Sequence, residues 1–206
     1  MSVHPKHART DHEVLDVIRQ RWSPRAFDAT RDVARSELLR LFEAARWAPS
    51  SYNEQPWRFI VVTRRRESEP HRRLIASLTA KNQAWAVAAP VLAVVCVRVT
   101  LERNEAPNSH AWYDTGQAVA FLTLQATSQG LSTRQMQGFD AEQARAACDV
   151  PSPYEPAVVI AIGYEGDPSA LTIDQHRVAE QSPRARRPAA EFVFEERWGL
   201  PLDEGV

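Results

Sequence analysis

The chain has 206 residues, 44% of them hydrophobic and 25% charged, a balance that supports one folded domain with a sizeable core and excludes disorder over most of its length. With 25 lysines and arginines against 26 aspartates and glutamates the formal net charge is -1, so neither nucleic acid nor an anionic membrane is an expected partner and any positive site must be local. The longest apolar run, Ala84 to Val97, contains Pro90 and falls short of the roughly 20 residues a membrane helix needs. The N-terminal stretch carries charge without an apolar segment behind it, so a cytoplasmic protein is expected.

Along the chain, His4, His7 and His12 read as an exposed polar start rather than as metal ligands, and no metal centre is expected. Thr10 and Glu13 have capping-box spacing, and Val14, Leu15 and Ile18 then share one face of a short predicted helix. Pro24 disfavours helical geometry at Ser23, which stops that helix at "RWSPRAF". A second helix is expected after Ser36, burying Leu38, Leu39, Leu41, Phe42 and Ala45. It runs into "APSSYNEQPW", a loop stiffened by Pro49 and Pro56 and crowded with short hydrogen-bonding groups. Local composition alone favours an elaborate helix stop there, with a binding loop as the alternative.

Phe59 to Thr63 is β-branched and apolar, as a strand should be, and Glu67 to Lys81 reads as a helix with a basic outer face. A strand is expected over Val91 to Val99, followed by a polar excursion, Thr100 to Trp112, that reads as a mobile loop or lid. Asp114 to Gly130 is apolar nearly all round and is expected to form a central buried helix with Gly130 just past its cap. Asp140 opens another short helix, and Pro156 to Tyr164 reads as a strand buried on both faces. Cys96 and Cys148 fall in a predicted strand and helix and suit reduced structural thiols. From Glu165 onward the chain is rich in arginine and proline and ends in the weakly alternating "EFVFEERWG", which needs the main domain or a second subunit to pack against.

Only seven glycines are present, and there is no GxGxxG, P-loop, GxSxG or HExxH motif. What remains is cationic clusters at element ends: Arg21, Ser23 and Arg25 in "RWSPR", and Arg184, Arg186 and Arg187 in "PRARRP". Arginine forks with a hydroxyl suit a phosphate, although either cluster alone is most simply a solvated basic surface.

Taken in order, "RWSPRAF", "AARWAPSSYNEQPWRFIVV", "NQAWAVAAPVLAVV", "GQAVAFLTLQATSQGLST", "MQGFD", "VVIAIGY" and "RARRPAAEFVFEERWG" resemble the nitroreductase family of FMN-dependent oxidoreductases, over nearly the whole chain. The resemblance implies an α+β fold in which helices surround a small mixed central sheet, and a homodimer with an exchanged C-terminal tail. It divides the chain into an FMN-binding core, residues 1–166, and an extension, residues 167–206, that packs on the core or on the partner. It also implies that Pro49, Ser50, Ser51 and Asn53 contact FMN across the dimer interface, with Gln55 supporting the loop. Arg21 and Ser23 become phosphate ligands, joined by Arg184 and Arg186, with Arg187 as a substitute for Arg186. Trp22, inside the same motif, joins the implied cofactor-binding set.

By the same resemblance Arg25 lies near the flavin N1 and O2 edge, where a cation stabilises the charge left by two-electron reduction. Asn82 matches a residue that bonds the pyrimidine edge, a helix C-cap being the alternative. Gln137 and Gly138 match the segment whose backbone N–H reaches N5. Gln137 stands where some relatives carry glutamate, and Trp85 where certain members carry lysine. Trp22, Trp47, Trp57 and Trp198 read most simply as packing residues, while Trp85 and Trp112 flank the implied pocket and lid. The implied activity is hydride transfer from NADH or NADPH through flavin N5 to a nitroaromatic, quinone or similar small acceptor by a ping-pong mechanism. A specialised flavin enzyme of the same fold or a non-turnover FMN scaffold is the alternative.

Overall fold

The run from Val91 to Val97 is apolar at every position, as a strand must be when it is covered on both faces, and in the computed structural model it lies inside the sheet. The structure describes residues 4–64 and 69–202. Four strands, β1 (Trp57–Thr63), β2 (Val91–Arg98), β3 (Ser132–Met136) and β4 (Tyr154–Gly163), are ordered β1-β2-β4-β3. Seven helices accompany them among the described residues: α1 (Asp16–Gln20), α2 (Arg35–Arg46), α3 (Glu69–Ser77), α4 (Ala80–Ala86), α5 (Ala111–Ser128), α6 (Ala141–Ala147) and α7 (Asp174–Gln181).

The fold is α+β, but the expected mixed sheet is corrected: every pairing among the described strands is antiparallel. The reason lies in strand order. Because β2 and β3 both run opposite to β4, they share one direction, as the single helix α5 between them demands, yet β4 is inserted between them and no parallel ladder forms. A register shift at Val95/Cys96 sets Val158 opposite Val95 and Pro156 opposite Cys96, leaving Ala157 as the extra residue where a proline is tolerated.

The period of two along each strand divides the core. Val91, Ala93 and Val95 of β2 with Ile160 and Ile162 of β4 meet Leu38, Leu41 and Ala45 of α2 and Ala118, Leu122 and Ala126 of α5. Leu92, Val94 and Cys96 with Val159 and Ala161 meet Leu74 of α3, Trp85 of α4 and Ala144 of α6 on the opposite face. Each fully buried Leu, Ile or Val contributes about 1.5–3 kcal/mol, so the two layers carry the stability of the domain.

Several elements match the expectations. α5 ends at Gln129 with Gly130 at φ +73° just beyond, and Asp140 caps α6 by accepting the Gln143 N–H at 3.0 Å. Others differ. Residues 10–15 are not helical, α1 starts only at Asp16, and Val14, Leu15 and Ile18 are exposed, so no capping box forms at Thr10. Leu39 points outward because it falls off the stripe of Leu38, Leu41 and Ala45.

The helix expected over 67–81 is broken after Ser77, where Leu78 bridges Phe139, and it restarts as α4; Glu67 lies outside the described residues. The excursion 100–112 is a tied turn rather than a bare loop. Leu101 N–H donates to Ala106 O at 2.8 Å, Arg98 meets Glu105 at 2.6 Å, and Glu102 N–H donates to Glu54 at 2.9 Å. β3 and α7 were not anticipated. Beyond α7 the tail lies open, with Phe192 and Trp198 exposed and the rings of Phe194 and Trp198 5.0 Å apart. No described helix is long and apolar enough to cross a membrane.

Candidate functional site

The segment "RWSPRAF" is positioned by what precedes and follows it. α1 ends at Arg21, and two residues past Arg25 the chain joins the end of β4. There Phe27 bridges Glu165, Gly166 N–H donates to Ala26 O at 2.9 Å, and Asp28 N–H donates to Tyr164 O at 2.9 Å. The approach is so close that a Cβ on Gly166 would lie 2.5 Å from the Phe27 carbonyl carbon and 2.6 Å from its oxygen. Residues 21–25 are thereby held at the sheet end.

On this base the arginines gather. Arg21 Nη1 donates to Ser23 Oγ at 3.0 Å, and Arg184 reaches back from the tail to donate to the carbonyls of Arg21 at 2.5 Å and Arg19 at 2.7 Å. Burial lowers the pKa of Arg21, and the charge of Arg186 adds to the effect. Burial likewise lowers Arg184, with Arg21 and Arg186 adding. Arg184 Nε is buried and has no hydrogen-bond partner among the described residues. Three guanidiniums that repel one another, with a hydroxyl and an unspent donor among them, form a place for a multiply charged anion. Arg187 stands apart, 3.9 Å from Glu191 and highly exposed.

Behind this cluster lies a second cationic pair. Arg25 shares its surroundings with Arg134 of β3, whose guanidinium donates to Ser23 O and sits over the Trp85 ring at 5.5 Å. Burial pushes the Arg134 pKa down to about 10, and Arg25's charge contributes next. Trp85 is buried, stacked with Phe27 at 6.1 Å, so it supports Arg134 from beneath and does not line an open pocket. The wall is completed by α4 and the loop after β3. Asn82 is in the first turn of α4 rather than at a C-cap, and its Nδ2 donates to Gly138 O at 3.0 Å beside the Thr79 N–H at 2.9 Å.

Phe139 N–H donates to Gln137 O at 2.9 Å, closing a γ-turn about Gly138 in which the Gly138 N–H takes no part. A Cβ on Gly138 would stand 2.8 Å from Asn82 Nδ2, which accounts for glycine there. Gln137 itself is exposed. Trp22 donates to Glu165 at 3.2 Å, with the Lys6 ammonium 5.2 Å over its ring.

The proline-serine-asparagine loop is built by strain. Tyr52, Asn53 and Gln55 have φ of 53°, 56° and 46°, the left-handed region that costs most residues energy. The conformation is held by Gln55 N–H on Ser50 Oγ at 3.1 Å and by Ser51 N–H on the buried Asp114 carboxylate at 2.9 Å. Pro49 and Asn53 are exposed.

The structure thus brings Arg21, Ser23, Arg25, Asn82, Gly138, Arg184 and Arg186 to one region and leaves Pro49, Ser50, Ser51 and Asn53 in another. Arg21 packs near Thr127 and Gly130 at the C-terminal end of α5, whereas the loop hangs on Asp114 in its first turn. From Asp114 to its last residue, Ser128, α5 rises about 21 Å along its axis. Three residues that sequence reasoning missed belong to the first region: Arg134, Glu180 and Asp114's counterpart in anchoring, Lys6, which is buried and donates to Ala179 O and Ser182 O at the end of α7. A charged residue inside the short polar β3 was the one available signal for Arg134. Trp47 and Trp198, expected to be packing residues, are exposed, while Trp57 is buried.

Known proteins share this architecture. The sequence profile of the nitroreductase family matches residues 18–164. The crystal structure of an oxidoreductase containing FMN superposes with a TM-score of 0.85 at 31% identity, covering 96% of this chain and 98% of that one. An uncharacterised 15.4 kDa protein of Mycolicibacterium smegmatis is 37% identical over 130 residues, 62% of this chain and 84% of that protein. The oxygen-insensitive NADPH nitroreductase of Helicobacter pylori strain J99 is 35% identical over 102 residues, 48% of this chain, and the match takes in 45% of that enzyme's length.

Proposed function

The chain belongs to the nitroreductase family, and on that premise we propose that it is a cytoplasmic, homodimeric oxidoreductase dependent on FMN and on NADH or NADPH. The observation that carries the reading is the guanidinium cluster of Arg21, Arg184 and Arg186, with the orphaned Arg184 Nε, beside the cations Arg25 and Arg134. These residues fit FMN: the first set would hold its doubly charged phosphate, and the second would meet the negative charge of its reduced ring. When bound, FMN supplies a two-electron relay at N5 between the nicotinamide nucleotide and a small acceptor such as a nitroaromatic or quinone, in ping-pong turnover.

The chain's own share is binding, orientation and charge. Arg21, Ser23, Arg184 and Arg186 hold the phosphate. Arg25 and Arg134 place positive charge where reduction leaves negative charge. Asn82 and Thr79 fix the Gly138 turn, which offers the backbone N–H of Gly138, and the exposed side chain of Gln137 borders it. No side chain is assigned as a general acid. Free Cys96 and Cys148 agree with a reducing compartment.

Support for two subunits comes from the separation of the two residue groups by the length of α5, more than one mononucleotide spans. Pro49, Ser50, Ser51 and Asn53 therefore serve the cofactor held by the other subunit. Exposed Ile18, Trp47 and Phe121 supply apolar surface for the contact. The edge strand β1 and α2 frame a groove of about 640 Å³, lined in part by Val33, Leu39, Phe42 and Val61 and rimmed by Asp32 and Arg35. We assign it to the partner's tail, the part of the extension 167–206 that has least to pack on in its own chain. Charges at Phe192 and Phe194 are expected to give a flavin-poor monomer by light scattering and visible absorbance, and a flavin-loaded dimer in that variant would count against tail exchange.

The test of the function is the anaerobic visible spectrum of purified protein. A flavin spectrum that bleaches with NADH or NADPH and returns on adding a quinone or nitroarene is the expected result. Flavin that does not bleach points to a scaffold or specialised enzyme, and protein that binds no FMN overturns the reading.

A further inference from the structure

Glu180 of α7 is buried against the turn that carries Arg25, its side chain 1% exposed. Its carboxylate accepts the Arg25 N–H at both oxygens, at 3.1 and 3.0 Å, and Oε2 also receives the Ala26 N–H at 3.4 Å. The Arg25 guanidinium lies 3.7 Å away, too far for a hydrogen bond, and donates none among the described residues. A buried carboxylate ordinarily needs a close, fully bonded partner. Here it is satisfied by main-chain N–H groups, so Arg25 is aimed through its backbone while its side-chain donors stay unspent. Arg134, Lys6 and His176 all lie within the field of the same carboxylate.

We propose that Glu180 is a positioning residue for Arg25 that sets the reduction potential of bound flavin. The proposal rests on the FMN reading above. In the reaction NADH or NADPH gives up a hydride and becomes oxidised, and FMN gains two electrons and one proton, hence one negative charge. Arg25 and Arg134 favour that reduced form. Glu180 opposes it by one charge and fixes the direction in which Arg25 acts. Without Glu180 the reduced flavin is held too strongly to pass its electrons on readily to a weak acceptor.

The experiment uses full-length, FMN-loaded protein, with the two-electron midpoint potential measured by equilibration against a redox dye and melting temperature measured alongside without FMN. Glu180→Gln keeps an oxygen for the Arg25 N–H and removes the charge. It is expected to tighten reduced over oxidised FMN by about tenfold, raising the potential by about 30 mV for a two-electron couple. Arg25→Gln is expected to move the potential in the opposite direction. Glu180→Asp withdraws the carboxylate by one methylene and is expected to give a smaller rise, and it decides the matter alone if the Gln variant does not fold. A merely structural Glu180 predicts lowered melting temperatures with unchanged potentials in both variants, which would overturn the proposal. Absence of flavin from the wild-type protein would be the separate failure of the FMN reading.

Discussion

Arg21→Ala is expected to weaken FMN binding by roughly 10- to 150-fold while leaving the melting temperature of the FMN-free protein unchanged or higher. A hydrogen bond to a charged group contributes about 1.5–3 kcal/mol, and each 1.4 kcal/mol is about tenfold in affinity. The sign on stability separates the two readings of the cluster. Arg21 sits among like charges, its pKa lowered by burial and by Arg186, so its own chain gains little from its charge. Among the described residues its side chain donates to Ser23 Oγ alone. Deleting the guanidinium therefore relieves repulsion in the empty protein and removes attraction in the loaded one. Isothermal titration with FMN and a thermal melt measure both terms. Unchanged affinity with a lowered melting temperature would make Arg21 a structural residue and move the phosphate elsewhere.

Gly166→Ala is expected to lower the melting temperature by roughly 6–12 °C. The new methyl would stand 2.5 Å from the Phe27 carbonyl carbon and 2.8 Å from the Asp28 nitrogen, and both are backbone atoms that cannot rotate away. Overpacking of this kind costs about 3 kcal/mol, and in a chain of this size each kcal/mol shifts the melting point by about 2–4 °C. The strain falls on the bonds that hold residues 26–28 to the end of β4, Gly166 N–H to Ala26 O and Asp28 N–H to Tyr164 O. Arg25 is one residue away, so flavin retention should fall along with stability. A variant that melts within 2 °C of the parent, roughly the shift of a 1 kcal/mol change, would show that the 26–28 segment can move without cost.

Much of the architecture could be read from residue order because burial leaves a plain trace. β2 is covered on both faces and is apolar from Val91 to Val97; α5, although it leaves Trp112, Tyr113 and Phe121 exposed, stops at a glycine with positive φ; Asp140 caps α6. β3 left no such trace, since Ser132, Arg134 and Gln135 are polar and the strand spans five residues. α7 was hidden for the opposite reason. Its apolar Val178 is exposed, and what fastens the helix is a buried glutamate on backbone N–H groups 154 and 155 residues away in the chain. The arginine clusters were visible as clusters, but their meeting was not, because Arg184 finds Arg21 across 163 residues. Arg134 and Glu180 act through contacts of that range, which no local spacing records. The exposed positions of Trp47 and Trp198 were misread because a large aromatic suggests a core, while a chain that leaves such groups open suits a second subunit.

The placement of the strained loop at one end of α5 and the arginines at the other has a genetic consequence. In a symmetric pair each cofactor would draw its phosphate grip from one copy and its loop from the other. One variant crippled at Arg21 and another crippled at Asn53 would each be inactive alone. Refolded together they would form hybrids in which one of the two sites carries both lesions and the other carries none. Activity would then reappear on mixing two dead proteins, a complementation open only to an enzyme whose sites are shared between chains.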